Sequence, residues 1–296
     1  MRWCIVVADD HGPEWAPSTK TGERPSPVQY SCLGGQSTLL QRALSRAGRI
    51  APAARILVTA LEEYREYWEP ALWHIRAANR YVCDNRAASL LTGAAALLSV
   101  AAVSPSSIVT ILPARCHVSR EWILQRAIDH VTSLLPCIRE GVATLGMMDI
   151  DEGIDEDYLI AGPAGPGFTV QGFARRPTAW VARHLKRQGA MVSSGIMIGY
   201  AGAFAAHITK HWPGLTLKLS RLAAAAAMAG EECELPLSLQ TGVPKPVLQS
   251  LRWNAPAFAQ RAFCVHSSGW SGLKSPRAAE RISAFLAANA GLVGAA

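Results

Sequence analysis

The stretch IVVADDHGPEWAP, residues 5–17, joins a short apolar run to a loop that contains glycine, proline and three acids. The run at 5–8 predicts a buried β-strand, and the loop after it carries Gly12 and ends at Pro17. A strand and turn of this kind is typical of a phosphate-binding loop. Such a loop needs glycines and a cation, because backbone N–H groups and a positive side chain must meet an anion. This loop instead carries Asp9, Asp10 and Glu14.

Strand-like and helix-like segments alternate along most of the chain. Strands are predicted at 3–8, 55–59, 80–83, 107–112, 142–147, 158–161, 169–173 and 191–198. Helices are predicted at 37–47, 61–78, 87–103, 119–135, 178–188, 201–211, 215–229 and 276–288. This alternation predicts an α/β fold with a mostly parallel sheet and helices on both faces. Because the chain shows no internal repeat and no linker that would divide it, residues 1–296 are expected to form a single domain.

The composition excludes several classes of protein. Half of the 296 residues are hydrophobic and 17% are charged, which is typical of a globular protein. The net charge of +7 suits an anionic partner, but the basic residues are scattered, so no nucleic-acid partner is expected. The seven cysteines form no C-x-x-C pair and are typical of reduced thiols. The longest apolar run, 87–103, contains serine, threonine and glycine, so we expect a buried helix, no membrane span and a cytoplasmic protein.

Seven stretches of the chain, taken in order, resemble segments of one enzyme family. They are GGQSTLLQRAL (34–44), ARILVTALEEYREYWEPAL (54–72), SSIVTILPARCHVS (106–119), GVATLGMMDIDEGIDEDYLIAG (141–162), VQGFARRP (170–177), MVSSGIMIG (191–199) and FCVHSSGWSG (263–272). Together they resemble the sugar-phosphate nucleotidyltransferases, and most closely the mannose-1-phosphate guanylyltransferases. The resemblance implies a Rossmann-like, glycosyltransferase-A-like nucleotidyltransferase domain. We also expect neither the C-terminal β-helix nor the sugar isomerase domain that many family members carry.

The resemblance also implies a metal-dependent reaction. In that family a sugar-1-phosphate attacks the α-phosphate of a nucleoside triphosphate, and two carboxylates hold the Mg²⁺ that neutralises the spreading charge. The family carries these carboxylates in a Pro-Ala-Asp-His segment and in a Gly-Trp-Ser-Asp segment. The matching residues here are Arg115 and Gly272. Since Mg²⁺ prefers oxygen ligands and a guanidinium repels it, no metal cofactor is expected.

Most other residues that would contact phosphate or sugar in the family are also replaced. In the loop at 9–17 the phosphate-binding arginine of the family becomes Glu14, and further along Val28 stands where the family has a lysine. Glu-Lys-Pro becomes Arg-Arg-Pro at 175–177, and an asparagine becomes Ser193. The glycines and prolines that shape the loops are largely retained. The resemblance thus predicts a degenerate phosphate pocket made of Asp9, Asp10, Gly12, Glu14, Val28, Gln29, Arg115, Arg175, Arg176, Ser193, Gly195 and Gly272.

Three hypotheses on function follow. The first is a pseudoenzyme, a non-catalytic relative of mannose-1-phosphate guanylyltransferase with a binding or regulatory role in nucleotide-sugar or polysaccharide metabolism. The second is an active sugar-phosphate nucleotidyltransferase with a rebuilt site, in which Arg115, Arg175 and Arg176 bind phosphates. The third is a structural subunit. The corresponding partners are a phosphorylated small molecule such as GDP-mannose, a second copy of the chain in a homodimer, or an active paralogue.

Arg115 has two interpretations at this stage. It either offers its guanidinium to a phosphate or pairs with Glu14, Asp9 or Asp10 and closes the pocket with charges of the protein itself. The neighbouring Cys116 and His117 are not expected to form a catalytic dyad, because adjacent side chains of a strand point to opposite faces.

Overall fold

Strands and helices alternate along the part of the chain that the computed structural model describes, which comprises residues 1–9, 14–15, 26–33, 35–84, 89–138, 141–148, 155–241 and 261–293. The strands are β1 (Arg2–Val7), β2 (Glu14–Trp15), β3 (Ser26–Pro27), β4 (Ile56–Leu61), β5 (Arg80–Cys83), β6 (Ile108–Pro113), β7 (His117–Val118), β8 (Val142–Met147), β9 (Tyr158–Pro163), β10 (Phe168–Ala174), β11 (Met191–Tyr200), β12 (Cys233–Glu234), β13 (Arg261–Val265) and β14 (Trp270–Ser271). The helices are α1 (Leu39–Ile50), α2 (Arg65–Trp68), α3 (Ser89–Val103), α4 (Glu121–Leu134), α5 (Ala179–Arg187), α6 (Ala201–His211), α7 (Pro213–Ala229), α8 (Leu237–Thr241) and α9 (Pro276–Val293).

A ten-stranded sheet forms the centre of the fold, in the order β12-β5-β4-β1-β6-β11-β8-β13-β10-β9. The first five of these strands are parallel to one another. β11 then runs antiparallel to both β6 and β8. The central strands are rich in isoleucine, leucine and valine, and every residue of β4 is buried. Continuous apolar strands of this kind are typical of a parallel sheet that is covered on both faces.

Helices cover the two faces of this sheet. α1 contacts β1 and β6, and α4 contacts β11 and β13. α3 contacts β1, β4 and β5, and α6 and α7 pack on α3. The chain crosses the sheet in opposite directions through α1 and through α3. Because such crossovers are right-handed, these two helices lie on opposite faces, and the predicted α/β fold is confirmed.

The long apolar segment predicted at 87–103 forms α3, which the structure describes from Ser89 onward. Residues 91–98 of this helix are all buried. A helix that is apolar on every side needs neighbours all around it, and α3 has the sheet on one side and α6 and α7 on the other. Among the described residues, no helix combines the length and the hydropathy that a membrane crossing needs.

The helix predicted at 61–78 is wrong. β4 continues through Leu61, and the only α-helical turn that follows in this part is α2, which has four residues and lies between 3₁₀ turns. Trp68 is fully buried, and its Nε1 donates to the carbonyl of Leu61 at 2.8 Å. Pro70 lies two residues beyond the end of α2 and has no N–H to continue a helix. The other predicted strands and helices are present, with ends shifted by a few residues.

The order of the strands marks one edge of the sheet as the place for a ligand. From β1 the chain moves through β4 to β5 on one side and then crosses to β6 on the other. Ligands of open α/β sheets bind at the carboxyl ends of the strands at such a switch point. Val7 at the end of β1 is in register with Pro113 at the end of β6, and the N–H of Ala114 donates to the Val7 carbonyl at 2.8 Å. The loops that begin at Ala8 and Ala114 therefore leave the sheet side by side.

Candidate functional site

Asp9 and Arg115 follow the two strands at the switch point. Both are buried, with 2% and 8% of their surface exposed. The hydroxyl of Thr92, in the first turns of α3, donates a hydrogen bond to the Asp9 carboxylate. The structure thus places these two predicted pocket residues at the same edge of the sheet and connects one of them to α3.

Part of the predicted loop cannot be compared with the structure in the same way. Asp10, Gly12 and the side chain of Glu14 lie outside the described residues. The pairing of Arg115 with Asp9, Asp10 or Glu14 therefore stays a prediction.

A short 3₁₀ turn, Val28–Tyr30, is hydrogen-bonded to Ala8, the residue after β1. Gln29 Nε2 and the Tyr30 hydroxyl both donate to the carbonyl of Ala8, at 3.3 and 3.1 Å. Burial, and then the negative charge of Asp9, raise the pKa of the Tyr30 phenol, so the hydroxyl keeps the proton that it donates. Val28 and Gln29, the first two residues of this turn, were predicted as pocket residues and lie beside the loop after β1. Tyr30, which donates to the same carbonyl as Gln29, was not predicted.

The space beside Gly272 is filled by a carboxylate. Gly272 follows a small ribbon in which Ser271 of β14 pairs with His117 of β7. A Cβ built on Gly272 would lie 2.5 Å from Oε1 and 2.8 Å from Oε2 of Glu156. A side chain at 272 would therefore require the Glu156 carboxylate to move from its place beside this turn.

Lys274 lies between the buried carboxylate of Glu156 and the partly buried carboxylate of Asp157 at the same corner. Its Nζ is 3.1 Å from Oε2 of Glu156 and 3.1 Å from Oδ2 of Asp157, and the three side chains are 13%, 8% and 13% exposed. The other carboxylate oxygen of Asp157 accepts the N–H of Arg176 at 3.2 Å. The Asp157 carbonyl accepts the N–H of Ser193 at 2.8 Å. Asp157 therefore joins two predicted pocket residues to the turn that carries Gly272, although neither it nor Lys274 was predicted.

β11 becomes irregular where it approaches β6. Its pairing with β8 shifts between Ser193 and Met197. Gly195, within this irregular part, has a φ of +73°, and a Cβ there would lie 3.0 Å from Cγ of Pro113. Glycine is favoured at such a position both by its backbone conformation and by the close approach. The irregular strand thus brings Gly195 to the end of β6, from which Arg115 follows.

The three arginines proposed as phosphate ligands differ in their surroundings. Arg115 is buried, whereas Arg175 and Arg176 are exposed. Arg176 has a φ of +37°, a backbone conformation that residues other than glycine rarely adopt. Its N–H donates to the Asp157 carboxylate. The backbone at 176 therefore belongs to the Lys274 corner, while the side chains of Arg175 and Arg176 face solvent.

Two arginines of α1 contact the segment between β6 and α4. Arg46 donates to both carboxylate oxygens of Glu121 at 2.9 and 2.7 Å, and its Nη1 lies 3.5 Å from Sγ of Cys116. Nη1 of Arg42 lies 3.4 Å from Nδ1 of His117. Burial, and then the Arg42 charge, lower the pKa of His117 to about 4, so the imidazole is neutral near pH 7. Cys116 and His117 thus contact different arginines.

The described residues do not fit the Mg²⁺ ion that the resemblance implies. Arg115 carries a positive charge, Gly272 has no side chain, and the carboxylate beside Gly272 is paired with the Lys274 ammonium. Within the described ranges, no group of three or more His, Cys, Asp or Glu side chains is arranged to hold a metal ion. A divalent cation at this edge would meet two positive side chains where it needs oxygen ligands.

Solved structures of known proteins have the same fold. A mannose-1-phosphate geranyltransferase from Thermus thermophilus is similar with a TM-score of 0.70 and 22% identity, over 95% of this chain and 78% of that chain. A mannose-6-phosphate isomerase from Helicobacter pylori is similar with a TM-score of 0.63 and 14% identity, over 91% and 99% of the two chains. UDP-glucose pyrophosphorylase complexed with UDP-glucose is similar with a TM-score of 0.51 and 14% identity, over 98% and 99%. No family model matches the sequence, and no curated protein matches it.

At these identities the likeness shows the fold. The chain has the Rossmann-like α/β fold found in nucleotidyltransferases. Arg115 follows β6, and Gly272 follows β14, which pairs with β7.

Proposed function

We propose that the protein is a non-catalytic relative of the mannose-1-phosphate guanylyltransferases, with a binding or regulatory role in nucleotide-sugar metabolism. One observation carries the proposal. The sequence resemblance aligns Arg115 and Gly272 with the two metal-binding carboxylates that the transfer reaction needs; Arg115 is buried, and the space beside Gly272 is taken by Glu156. Arg115 lies just after β6, beside the end of β1, at the kind of edge where open α/β sheets bind ligands.

In an active enzyme, the two metal-binding carboxylates would act on the attack at the α-phosphate. Negative charge spreads over the phosphates as the α-phosphate is attacked and pyrophosphate leaves, and this charge must be neutralised by groups already in place. Removing a single group of that kind costs about 10²–10³ in rate in comparable sites. Loss of both metal-binding carboxylates is therefore expected to leave no measurable transfer.

The proposal extends to partners and location. The expected ligand is a phosphorylated small molecule such as GDP-mannose, because the site edge carries Arg115, Arg175 and Arg176, and guanidinium groups pair well with phosphates. The expected protein partner is a second copy of the chain or an active paralogue, and no nucleic acid is expected. All seven cysteines are free thiols, which suits a cytoplasmic protein.

An enzyme assay tests the proposal directly. The purified protein is incubated with GTP, mannose-1-phosphate and either Mg²⁺ or Mn²⁺, and pyrophosphate release is compared with a blank that lacks protein. We expect no release above the blank, while an active guanylyltransferase in the same buffer shows that the conditions support transfer. Pyrophosphate release that Arg115→Ala abolishes would contradict the proposal and favour the active, arginine-based nucleotidyltransferase.

Binding is measured separately from turnover, by calorimetric titration with GTP, GDP, GDP-mannose and mannose-1-phosphate. We expect saturable binding of at least one of them that Arg115→Ala weakens. Arg183→Ala, which changes an exposed arginine of α5, is the matched control and should leave binding unchanged. Absence of binding for all four ligands, together with a nucleotidyltransferase that co-purifies, would favour the structural subunit instead.

A further inference from the structure

We propose that the outward face of α5 is a docking surface for an anionic lipid bilayer. This face consists of Trp180, Arg183, His184 and Arg187, which are all exposed. Docking through it would hold the protein at a membrane surface. The proposal goes beyond the proposed function and does not depend on it, because none of these four side chains belongs to the predicted phosphate pocket.

The spacing of the four residues puts them on one side of α5. They follow one another at i, i+3, i+4 and i+7, which is one face of an α-helix. Ala182, on the opposite side, is buried, and α5 packs on β9. The helix is therefore attached to the sheet by one side and presents the other side to solvent.

The arginines of this region have no acidic partner in the described part of the chain. There the side chains of Arg183 and Arg187 form no ion pair, and Nε of Arg187 donates to the neutral Arg183 carbonyl at 3.4 Å. Arg175 and Arg176, just before α5, have exposed side chains that likewise form no ion pair with any described residue. Guanidinium groups without a carboxylate partner are available to bind phosphate groups from outside the chain.

The surrounding segment carries charge of one sign only. Residues 158–230 contain no aspartate or glutamate, although eight of the 29 Lys and Arg residues of the chain lie there. Five of these eight lie between residues 175 and 187, and the other three are on α6 and α7. Because no acid in this segment offsets the arginines, an extended surface of negative charge is attracted to them.

Trp180 supplies the apolar part of the face. It is 66% exposed, and its indole is parallel to the His184 imidazole, with an interplanar angle of 2° and 5.8 Å between the ring centroids. The dipole of α5 favours Lys186 and Arg187 in its last turn, but an exposed indole has no such local benefit. Tryptophan beside arginine is typical of surfaces that contact a bilayer, since the indole lies at the level of the headgroups while guanidinium groups meet their phosphates.

The shape of the face favours a bilayer over a single-stranded nucleic acid. Single strands bind in basic grooves whose aromatic rings stack on the bases. The outward side of a helix is convex, and the imidazole of His184 already stacks on Trp180, which leaves less of the indole for a base. A bilayer needs no groove, because its surface is flat and its charge is spread over many headgroups.

The test is co-sedimentation of the full chain with vesicles, with no nucleotide or sugar present. One preparation contains phosphatidylcholine alone, and the other is an equal mixture of phosphatidylcholine and phosphatidylglycerol. We expect binding to the mixture only, and we expect added salt to weaken it. One basic side chain near an anionic surface raises the affinity about fivefold, so Arg183→Gln combined with Arg187→Gln should weaken binding about thirtyfold.

The matched control removes the same charge from another helix. Lys218→Gln combined with Arg221→Gln changes two exposed side chains of α7, and this variant should bind the mixed vesicles like the wild type. Equal weakening by the two double variants would overturn the proposal, because the net charge and not the face of α5 would then determine binding.

The position of Trp180 is measured with lipids that are brominated in their acyl chains and quench tryptophan fluorescence at the bilayer. We expect mixed vesicles of such lipids to quench the wild type, and Trp180→Phe to remove most of the quenching. Trp122→Phe changes a tryptophan of α4 that is 60% exposed, and it should be quenched like the wild type. Quenching that Trp180→Phe leaves intact would overturn the assignment of this face.

Two further results would overturn the proposal. One is absence of binding to the mixed vesicles at low salt. The other is binding of a single-stranded oligonucleotide that Arg183→Gln with Arg187→Gln abolishes, while vesicles stay unbound, since the face would then belong to a nucleic acid. Neither result depends on pyrophosphate release or on GDP-mannose binding, so failure of this proposal is distinguishable from failure of the proposed function.

Discussion

Glu156 and Gly272 share one volume although they are far apart in the sequence. A side chain at 272 would approach Oε1 of Glu156 to 2.5 Å, so the absence of one group and the presence of the other depend on each other. Substitutions at residues in such contact do not have independent effects. The site is therefore a set of coupled positions. Lys274 belongs to it through its ion pairs with Glu156 and Asp157.

His117 makes the stability of the fold depend on pH. It is 4% exposed, and burial followed by the Arg42 charge lowers its pKa from 6.5 to about 4. As the pH falls below 6.5, His117 becomes protonated in the unfolded chain, whereas in the folded chain it stays neutral down to about pH 4. The free energy of unfolding therefore decreases across this pH window. The full effect is about 3 kcal/mol. We expect His117→Gln to reduce the fall in unfolding free energy between about pH 7 and about pH 4.5, measured by urea titration.

The control for this prediction is a histidine at the surface. His184 is exposed on α5 and stacks on Trp180, so His184→Gln should leave the pH dependence of the wild type unchanged. A decline of equal steepness in the wild type and in His117→Gln would contradict the assignment of His117 as a buried, neutral imidazole.

An ion pair connects α1 and α4, which lie on the same face of the sheet. Arg46 is 2% exposed and donates to both carboxylate oxygens of Glu121, which is 28% exposed. Removing one partner of a buried pair leaves the other charge without compensation, which costs about 3–5 kcal/mol when burial is complete. Because Glu121 is partly exposed, we expect Glu121→Ala to lower the free energy of unfolding by about 3 kcal/mol, the lower end of that range.

A second ion pair of the same helix supplies the comparison. Asp129 of α4 pairs with Arg2 at 2.8 Å, but the two side chains are 46% and 43% exposed. Solvent screens such a pair, so Asp129→Ala should cost less than about 1 kcal/mol. Similar losses for Glu121→Ala and Asp129→Ala in denaturant titrations would show that burial does not set the difference between them.

The elements that the sequence predicts best are those with a long apolar pattern. α3 and the central strands have such patterns, and the structure contains them with small changes at the ends. The segment 61–78 shows why helical spacing alone misleads: its apolar residues pack onto the sheet through short turns, and Pro70 interrupts any helix. The ribbon of β7 and β14 has two residues in each strand, which is too short to show any period.

The site is predictable only in part for a related reason. Arg115 and Gly272 were predicted because each lies within a segment that resembles a known family, so a change of residue stands out locally. The contacts of Lys274 with Glu156 and Asp157 join distant parts of the chain. An acidic segment and an isolated lysine each indicate only a solvated surface, and their burial depends on a tertiary contact that no local pattern encodes.

At the scale of the whole molecule, one hydrophobic core runs through most of the described chain. Its buried residues extend from Cys4 in β1 to Trp270 in β14 and include Leu40 of α1 and Phe204 of α6, on the two faces of the sheet. Two smaller clusters lie beside it. One continuous core is typical of a chain that unfolds as a unit, because no part can lose its packing without exposing apolar surface of the rest.

Calorimetry tests this cooperativity. We expect a single unfolding transition in which the calorimetric and van't Hoff enthalpies agree. Leu40→Ala and Phe204→Ala remove buried side chains on opposite faces of the sheet, and each should destabilise the protein by about 2–5 kcal/mol and lower the melting temperature of that one transition. Leu217→Ala changes a side chain of α7 that is 53% exposed and should shift it little. If the chain formed two domains, each core substitution would move one of two transitions and leave the other in place, because only the domain that lost its packing would be destabilised.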